Sequence, residues 1–258
     1  MISIIWEVNP ILFELYFLKL YWYGIFFAGS FIIGFYLLKY LFKKENIKNI
    51  PIESLFLYIF TGTIIGARLF HCIVYEPSFY IYNPLEIIKI WNGGLASHGA
   101  IIGSLSMLFI FANKKQISFS FLLSRLLIPG FFIASMIRVG NFFNSEIIGI
   151  PYSGFTAIIF KNYDMISRHP VQLYESFAYF LFFLFLIIYH YKYTFHNPLK
   201  IISISTIYLF VIRFILEYFK LNQANYNLDL PLSVGQLSSI PFIFIGLYLF
   251  FKSYNKKE

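Results

Sequence analysis

LLSRLLIPGFFIASMIRVGNFFNSEIIG, residues Leu122 to Gly149, begins as a predominantly apolar run and ends in a dense group of polar side chains. The run from Leu122 to Ile137 approaches the ~20 residues that a helix needs to cross a bilayer. The remainder places an arginine, two asparagines and a glutamate between phenylalanines and isoleucines. Polar groups beside a membrane span are costly, so this pattern predicts a membrane helix that leads into a functional site.

The composition of the whole chain points to a membrane environment. Only 12% of the 258 residues are charged and 59% are hydrophobic, whereas a soluble domain carries roughly 25% charged residues. A soluble core could not bury this much apolar surface. No Gly/Ser-rich linker and no internal repeat interrupts the sequence, which therefore predicts a single polytopic membrane domain over residues 1–258.

Seven apolar runs are candidates for membrane-spanning helices, because lipid offers backbone groups no hydrogen-bond partner outside the segment itself. They are Trp22 to Leu41, Leu55 to Tyr75, Leu95 to Ala112, Phe121 to Ile137, Leu173 to Tyr191, Ile201 to Phe219 and Val234 to Phe251. The expected fold is an all-α integral membrane protein with about seven transmembrane helices. The first residues lack a basic region and a small-residue cleavage site, so no removable signal peptide is expected.

Lysine placement predicts the orientation of these helices. The clusters are Lys43, Lys44 and Lys48; Lys114 and Lys115; Lys192 and Lys200; and Lys252, Lys256 and Lys257. They occupy the loops after the first, third and fifth spans and the C-terminal tail, which the positive-inside rule makes cytoplasmic. The N-terminus is then outside, with outer-face segments around residues 76–94, 138–172 and 220–233. The net charge of +8 reflects these anchors, so we expect no nucleic-acid partner.

Polar residues in or beside the spans converge on the outer half of the membrane in this topology. They are Tyr23, Arg68, His98, Arg138, Asn141, Asn144, Glu146, Arg213 and Glu217, with Arg168 to Glu175 before the fifth span. Arg213 and Glu217 are four residues apart and share a helix face. Each residue has a structural alternative, such as an Arg213–Glu217 ion pair, an interfacial role for Tyr23, or pairing of Arg68 with Glu146 or Glu175.

The residue types favour binding of an anion near a lipid-accessible site. No His/Cys/carboxylate spacing suits a metal, and no glycine-rich loop suits a nucleotide. The single cysteine, Cys72, is expected to pack as a small apolar residue. Guanidinium groups bind phosphate in a planar, bidentate way, and a histidine can transfer a proton near neutral pH. A phospholipid head-group enzyme, a small-anion transporter and a non-catalytic scaffold all remain open on these grounds.

Motifs along nearly the whole chain resemble those of the prolipoprotein diacylglyceryl transferases. The family signature resembles G-R-x-[GA]-N-F-x-N-x-E-x-x-G, and residues 137–149 here read IRVGNFFNSEIIG. Every fixed position matches except the first, where Ile137 stands in place of glycine. Further matches, in the family's order, are Trp22-Tyr23-Gly24, Gly66-Ala67-Arg68, Gly93-Gly94 with His98-Gly99, Arg168-His169-Pro170 with Gln172-Leu173-Tyr174-Glu175, Arg213 with Glu217, and Ser233-Val234-Gly235-Gln236.

The resemblance implies a multi-pass enzyme of the bacterial cytoplasmic membrane. It implies transfer of the diacylglyceryl group of phosphatidylglycerol to the lipobox cysteine in a prolipoprotein signal peptide. A thioether forms and glycerol 1-phosphate leaves, without a metal or cofactor. This is the first step of bacterial lipoprotein maturation.

The resemblance also implies roles for individual residues. His98 would be the base or would orient the substrate, while Arg138 and Arg213 would hold the leaving phosphate. Residues expected to bind substrate are Tyr23, Arg68, Asn141, Asn144, Glu146, Gly149 and Glu217. Glu217 is expected to orient Arg213, whereas Arg168 and Glu175 are expected to be structural.

Overall fold

The computed structural model describes residues 4–16, 18–193, 195–221 and 232–255. Lys256 and Lys257 of the predicted basic tail lie outside the described residues. The same holds for residues 222–231, which form most of the third predicted outer-face segment.

The chain is mostly helical, as its composition predicts. The helices are α1 (Trp22–Lys44), α2 (Ile52–Phe70), α3 (Pro77–Tyr82), α4 (Ser97–Lys115), α5 (Phe119–Phe143), α6 (Val171–Tyr193), α7 (Pro198–Glu217) and α8 (Val234–Asn255). Residues His71–Tyr75 extend α2 as a π-helix, and short 3-10 helices cover Pro84–Ile88 and Ile90–Asn92. The described residues also form five short strands: β1 (Ile4–Trp6), β2 (Ile11–Leu15), β3 (Leu18–Tyr21), β4 (Ile158–Phe160) and β5 (Ser167–Arg168).

Six of the described helices are long and apolar enough to cross a membrane: α1, α2 with its π-helical extension, α5, α6, α7 and α8. The chain is therefore a multi-pass, all-α membrane protein. The remaining predicted span forms helix α4, which carries His98 and Gly99 at its start and Lys114 and Lys115 at its end. Helix α4 is not among the six. A total of seven spans and an external N-terminus stay predictions.

The described residues form two compact units. One comprises those within Met1–Leu38 and Ser124–Glu258, and the other comprises Lys39–Leu123. The polar stretch that follows Ile137 belongs to the first unit, and so do Tyr23, Arg213 and Glu217. Arg68 and His98 belong to the second unit.

Helices α2 and α4 of the second unit pack closely through glycines. A Cβ atom added to Gly66 would lie 2.8 Å from the Cα of Gly103, and one added to Gly103 would lie 2.9 Å from the Cα of Gly66. Gly62 and Gly99 face the same contact. The four-residue spacing of small residues predicts this close approach, which replaces the hydrophobic effect as a source of helix association in lipid.

This contact predicts the effect of a Gly103→Ala substitution. Alanine normally favours a helix over glycine by up to 1 kcal/mol, but here its methyl group would overlap the backbone of α2. We expect a net loss of about 2 kcal/mol, measured as a lower unfolding temperature in detergent. Gly130→Ala on α5 is the matched control, because nothing lies within 4 Å of a Cβ added there. Equal unfolding temperatures for the two variants would contradict the proposed packing.

In the first unit, strand pairing joins the segment after α5 to the first residues of the described chain. Strand β1 pairs in parallel with β4, and β4 pairs antiparallel with β5. Beside them is an apolar cluster of Phe142, Ile148, Ile158 and Phe160, against which Trp6 packs. Strands β2 and β3 form a separate antiparallel hairpin. These contacts fix the residues that follow Arg138, and the apolar runs of the sequence do not reveal them.

Candidate active site

Arg138 lies on the penultimate turn of α5 and forms an ion pair with Glu175 near the start of α6. The Arg138 Nε atom is 2.9 Å from Glu175 Oε2, and the Glu175 side chain is fully buried. A buried carboxylate needs such a partner, because the desolvation of a lone charge costs several kcal/mol. The guanidinium also donates a hydrogen bond from Nη1 to Asn141 Oδ1, at 3.2 Å.

Lys220 brings a second cation to the same carboxylate. Its Nζ atom is 2.9 Å from Glu175 Oε1 and 3.1 Å from Glu217 Oε2. The backbone explains this position, because Ile150 N–H donates to the Phe219 carbonyl and Leu221 N–H donates to the Ile148 carbonyl. The chain after α7 is thereby paired with the chain after α5, and Lys220 is directed inward with only 12% of its side chain exposed.

The Glu146 carboxylate, in the loop after α5, accepts hydrogen bonds from two asparagine side chains. Asn141 Nδ2 donates to Glu146 Oε2 at 3.0 Å, and Asn144 Nδ2 donates to Glu146 Oε1 at 3.1 Å. Ser145 and Ile147 on either side have φ values of 53° and 55°. A β-branched residue such as Ile147 rarely adopts this conformation, and backbone strain of this kind tends to concentrate at functional sites.

Two glycines permit close approach within this cluster. A Cβ atom on Gly149 would lie 2.6 Å from His169 Cβ and 2.8 Å from the Phe219 carbonyl oxygen. A Cβ atom on Gly235, at the start of α8, would overlap the Glu217 carboxylate. Gly149 therefore lets the two backbone segments pair, and Gly235 makes room for Glu217.

Arg213 joins the cluster through Tyr179, a buried residue one turn beyond Glu175 on α6. Tyr179 hydrogen-bonds with Arg138 and interacts electrostatically with Arg213. The expected pairing of Glu217 with Arg213 is not what the structure shows, because Glu217 pairs with Lys220. No ion pair joins Arg213 to a carboxylate of the described residues. The residue is half-buried.

Tyr23 lies at the start of α1 and faces the same cluster. It interacts electrostatically with both Arg138 and Glu146. Helices α1 and α5 approach closely here, because a Cβ atom on Gly140 would lie 3.1 Å from the Tyr23 ring. Of the residues predicted from sequence, the structure thus brings together Tyr23, Arg138, Asn141, Asn144, Glu146, Gly149, Arg213 and Glu217.

Arg68, in the second unit, is held by backbone carbonyls. Its Nε, Nη1 and Nη2 atoms donate five hydrogen bonds to carbonyl oxygens of residues 86–94, at 2.6–3.3 Å. A guanidinium has five N–H donors, so this loop occupies all of them. The bonds anchor the loop to the end of α2.

His98 is the second residue of α4 and also belongs to the second unit. Its ring stacks on Phe70 with a centroid distance of 6.0 Å, and the residue is exposed. An exposed imidazole can exchange a proton with an incoming substrate.

Comparison with known proteins decides the family. The family model described as prolipoprotein diacylglyceryl transferase matches residues 10–252. The chain belongs to this family. It is 45% identical over 258 residues to the phosphatidylglycerol–prolipoprotein diacylglyceryl transferase of Chloroherpeton thalassium, an alignment that covers 99% of this chain and 96% of that protein. The enzymes of the same name from Tolumonas auensis and Bacteroides fragilis are 39% and 34% identical, and each alignment covers at least 98% of both chains.

Three members of the cluster were not expected at its centre. Glu175 was expected to be structural, Lys220 lies outside the lysine clusters of the sequence, and Tyr179 was not singled out. One signal could have found Tyr179, since it follows Glu175 by four residues and so shares its helix face. Lys220 gave no comparable signal, because its position depends on the pairing of two loops.

Arg168 and Asp164 stabilise the segment between α5 and α6. Arg168 donates to the Asp164 carboxylate through Nε and Nη2, and through Nη1 to the Gly149 carbonyl at 3.2 Å. The hydrogen bond from Arg168 is the main reason that the pKa of Asp164 lies below its ordinary value of 3.8. The structural role that the sequence suggests for Arg168 agrees with these contacts.

The lowered pKa predicts how an Asp164→Asn variant depends on pH. A carboxyl group whose pKa is lower in the folded state stabilises that state above its unfolded pKa, and this contribution is lost as the pH falls through the folded pKa. We expect Asp164→Asn to cost about 1 kcal/mol at pH 7. Unfolding temperatures measured from pH 7 downward should converge only below pH 3.8. A difference that stays constant over this range would contradict the assignment.

Proposed function

We infer that this chain transfers the diacylglyceryl group of phosphatidylglycerol to the cysteine thiol of a prolipoprotein. The sulfur attacks the carbon of the diacylglyceryl group that is bonded to the phosphate oxygen. A C–S bond forms, the C–O bond to phosphate breaks, and glycerol 1-phosphate leaves with the bonding electrons. The thiol proton passes to a base, and the product is a thioether.

We propose that Arg213 and Arg138 bind the phosphate group. The observation that carries this proposal is the pairing within the cluster, where Glu175 contacts Arg138 and Lys220 while Glu217 contacts Lys220. Arg213 is thus left without a carboxylate among the described residues. A guanidinium in this position can bind phosphate with two parallel hydrogen bonds and stabilise the charge that develops on the leaving oxygen.

The other residues of the cluster support this site. Asn141, Asn144 and Glu146 form a hydrogen-bonded group beside Arg138, where they would contact the glycerol hydroxyl groups of the head group. Tyr23 lies on the α1 side of the same group. Gly149 and Glu217 position Lys220, which in turn holds Glu175 in place for Arg138.

Arg68 acts in this proposal by positioning the loop that precedes His98. Its five hydrogen bonds to residues 86–94 leave no donor for a phosphate. The substrate-binding role expected for Arg68 is therefore indirect. We propose that the site lies at the outer face of the bacterial cytoplasmic membrane, as the lysine distribution predicts.

His98 is proposed as the group that accepts the thiol proton. A free thiol has a pKa of about 8.5, so only a few per cent is thiolate at neutral pH. General base catalysis typically contributes a factor of about 10²–10⁴. We expect His98→Ala to lower kcat at least a hundredfold at pH 7, measured as thioether formation, and to lose less at pH 9, where more thiolate forms unaided. A variant that keeps most of its turnover at pH 7 would reject this role.

The function is tested with the purified full-length protein, phosphatidylglycerol and a synthetic peptide that contains a lipobox cysteine. Mass spectrometry of the peptide should show the added diacylglyceryl group on the cysteine side chain. A peptide with serine in place of the cysteine is the matched control and should remain unmodified. An unmodified cysteine peptide, in the presence of folded protein, would overturn the assignment.

A further inference from the structure

A cavity of about 560 Å³ lies at the opposite end of α6, α7 and α8 from the Arg138 cluster. It is lined by the last residues of α6, the first residues of α7 and the last residues of α8. Glu175 and Tyr193 are near opposite ends of α6, so the two sites are separated by roughly 27 Å at 1.5 Å per residue. The volume lies within the range of small-ligand sites.

The lining of this cavity is cationic. Lys192 and Lys200 supply the positive charge, and none of the described residues that line the cavity carries a carboxylate. The ion pairs of the described residues include neither lysine. The Lys200 ammonium lies 5.3 Å from the centre of the Tyr254 ring, which stabilises the cation without neutralising it. Within the described part of the chain, an anion in the cavity would therefore meet positive charge that no lining carboxylate neutralises.

The walls of the cavity are already fixed in place. Asn197 donates from Nδ2 to the Ser253 carbonyl at 3.0 Å, and its Oδ1 accepts from the Lys200 N–H at 3.1 Å. The first bond joins the start of α7 to the end of α8, and the second caps the N-terminus of α7. Phe195 is buried and packs against His190, with a ring distance of 4.9 Å. A site built in this way need not order its walls when a ligand binds, which favours affinity.

We propose that this cavity binds the phosphate group of an anionic phospholipid in the leaflet opposite the Arg138 cluster. Lys192 and Lys200 supply the charge, and His196 and Asn197 supply further polar contacts. Exposed Tyr193 and Tyr254 rings line the cavity beside the lysines. Tyrosines and lysines at helix ends are typical of the membrane–water interface, and basic pockets between helix ends bind anionic head groups. This assignment is independent of the transferase reaction.

The test measures binding of dioleoyl phosphatidic acid to the full-length protein by native mass spectrometry. A Lys192→Gln/Lys200→Gln variant is compared with Lys114→Gln/Lys115→Gln, which removes the same charge from the end of α4. Binding at the Arg138 cluster contributes equally to both proteins. With about 1 kcal/mol per lysine near a lipid surface, we expect one class of sites to weaken about 30-fold in the first variant only.

A second substitution and a competition experiment complete the test. Tyr254→Leu removes the ring beneath Lys200 from an exposed position, where it does not threaten folding, and should weaken the same class of sites by a smaller factor. Millimolar inorganic phosphate that displaces the lipid would identify free phosphate as a sufficient ligand, and failure to displace it would identify the lipid head group. Equal binding by both double-lysine variants, whether weakened or unchanged, would overturn the proposal.

Discussion

Replacing Arg138 with alanine will lower kcat about a thousandfold while the protein stays folded. Loss of a single group that stabilises a developing oxyanion typically costs a factor of about 10²–10³. Glu175 retains Lys220 as a partner at 2.9 Å, so the substitution leaves no buried carboxylate without a cation. The measurement is the rate of thioether formation at saturating phosphatidylglycerol, together with the unfolding temperature.

Arg138→Lys is the matched control for this effect. It keeps the positive charge but loses the planar fork that can contact Glu175, Asn141 and a phosphate at once. We expect at least a hundredfold loss of kcat. A lysine variant with near-normal turnover would show that charge alone is sufficient, and an alanine variant that keeps a tenth of its turnover would remove Arg138 from the reaction.

Replacing Glu175 with glutamine will destabilise the protein by about 3 kcal/mol. The amide keeps the shape of the side chain, but Arg138 loses its carboxylate and Lys220 loses one of two. At about 2–4 °C per kcal/mol for a chain of this size class, the unfolding temperature should fall by about 6–12 °C. Turnover should fall as well, because Arg138 is no longer held in its observed orientation.

Two further variants separate burial from charge. Glu53→Gln removes an exposed carboxylate that contacts Lys39 at 3.3 Å, with 65% of the Glu53 side chain exposed, and should leave the unfolding temperature nearly unchanged, because solvent screens an exposed ion pair. A Glu175→Gln/Lys220→Met double variant removes one charge of each sign and should regain part of the lost stability. If Glu53→Gln and Glu175→Gln lower the unfolding temperature equally, the cluster does not stabilise the fold as described.

The helices were predictable from sequence because the bilayer fixes their length and composition. The run Leu122 to Ile137 lies within α5, although the helix continues through Arg138 to Phe143. This extension places Arg138 and Asn141 on the helix instead of in the loop that follows it. The polar stretch was recognisable as a candidate site because charged groups are rare beside membrane spans.

The remaining features depend on contacts between distant parts of the chain. Pairing of Ile4 with Ile158 joins residues that no local pattern relates. The position of Lys220 depends on pairing between the segments that follow α5 and α7. Arg68 could be recognised as a buried charge, but its five backbone acceptors could not, because carbonyl groups have no signature in sequence.

If attack by the peptide thiol expels glycerol 1-phosphate from phosphatidylglycerol at the Arg138 cluster, the two products must form together. The most direct test measures both products in one reaction with the purified protein. We expect one glycerol phosphate released for each thioether formed, and no release with the serine peptide. Release of glycerol phosphate without the peptide cysteine, or no release from folded protein supplied with both substrates, would contradict it.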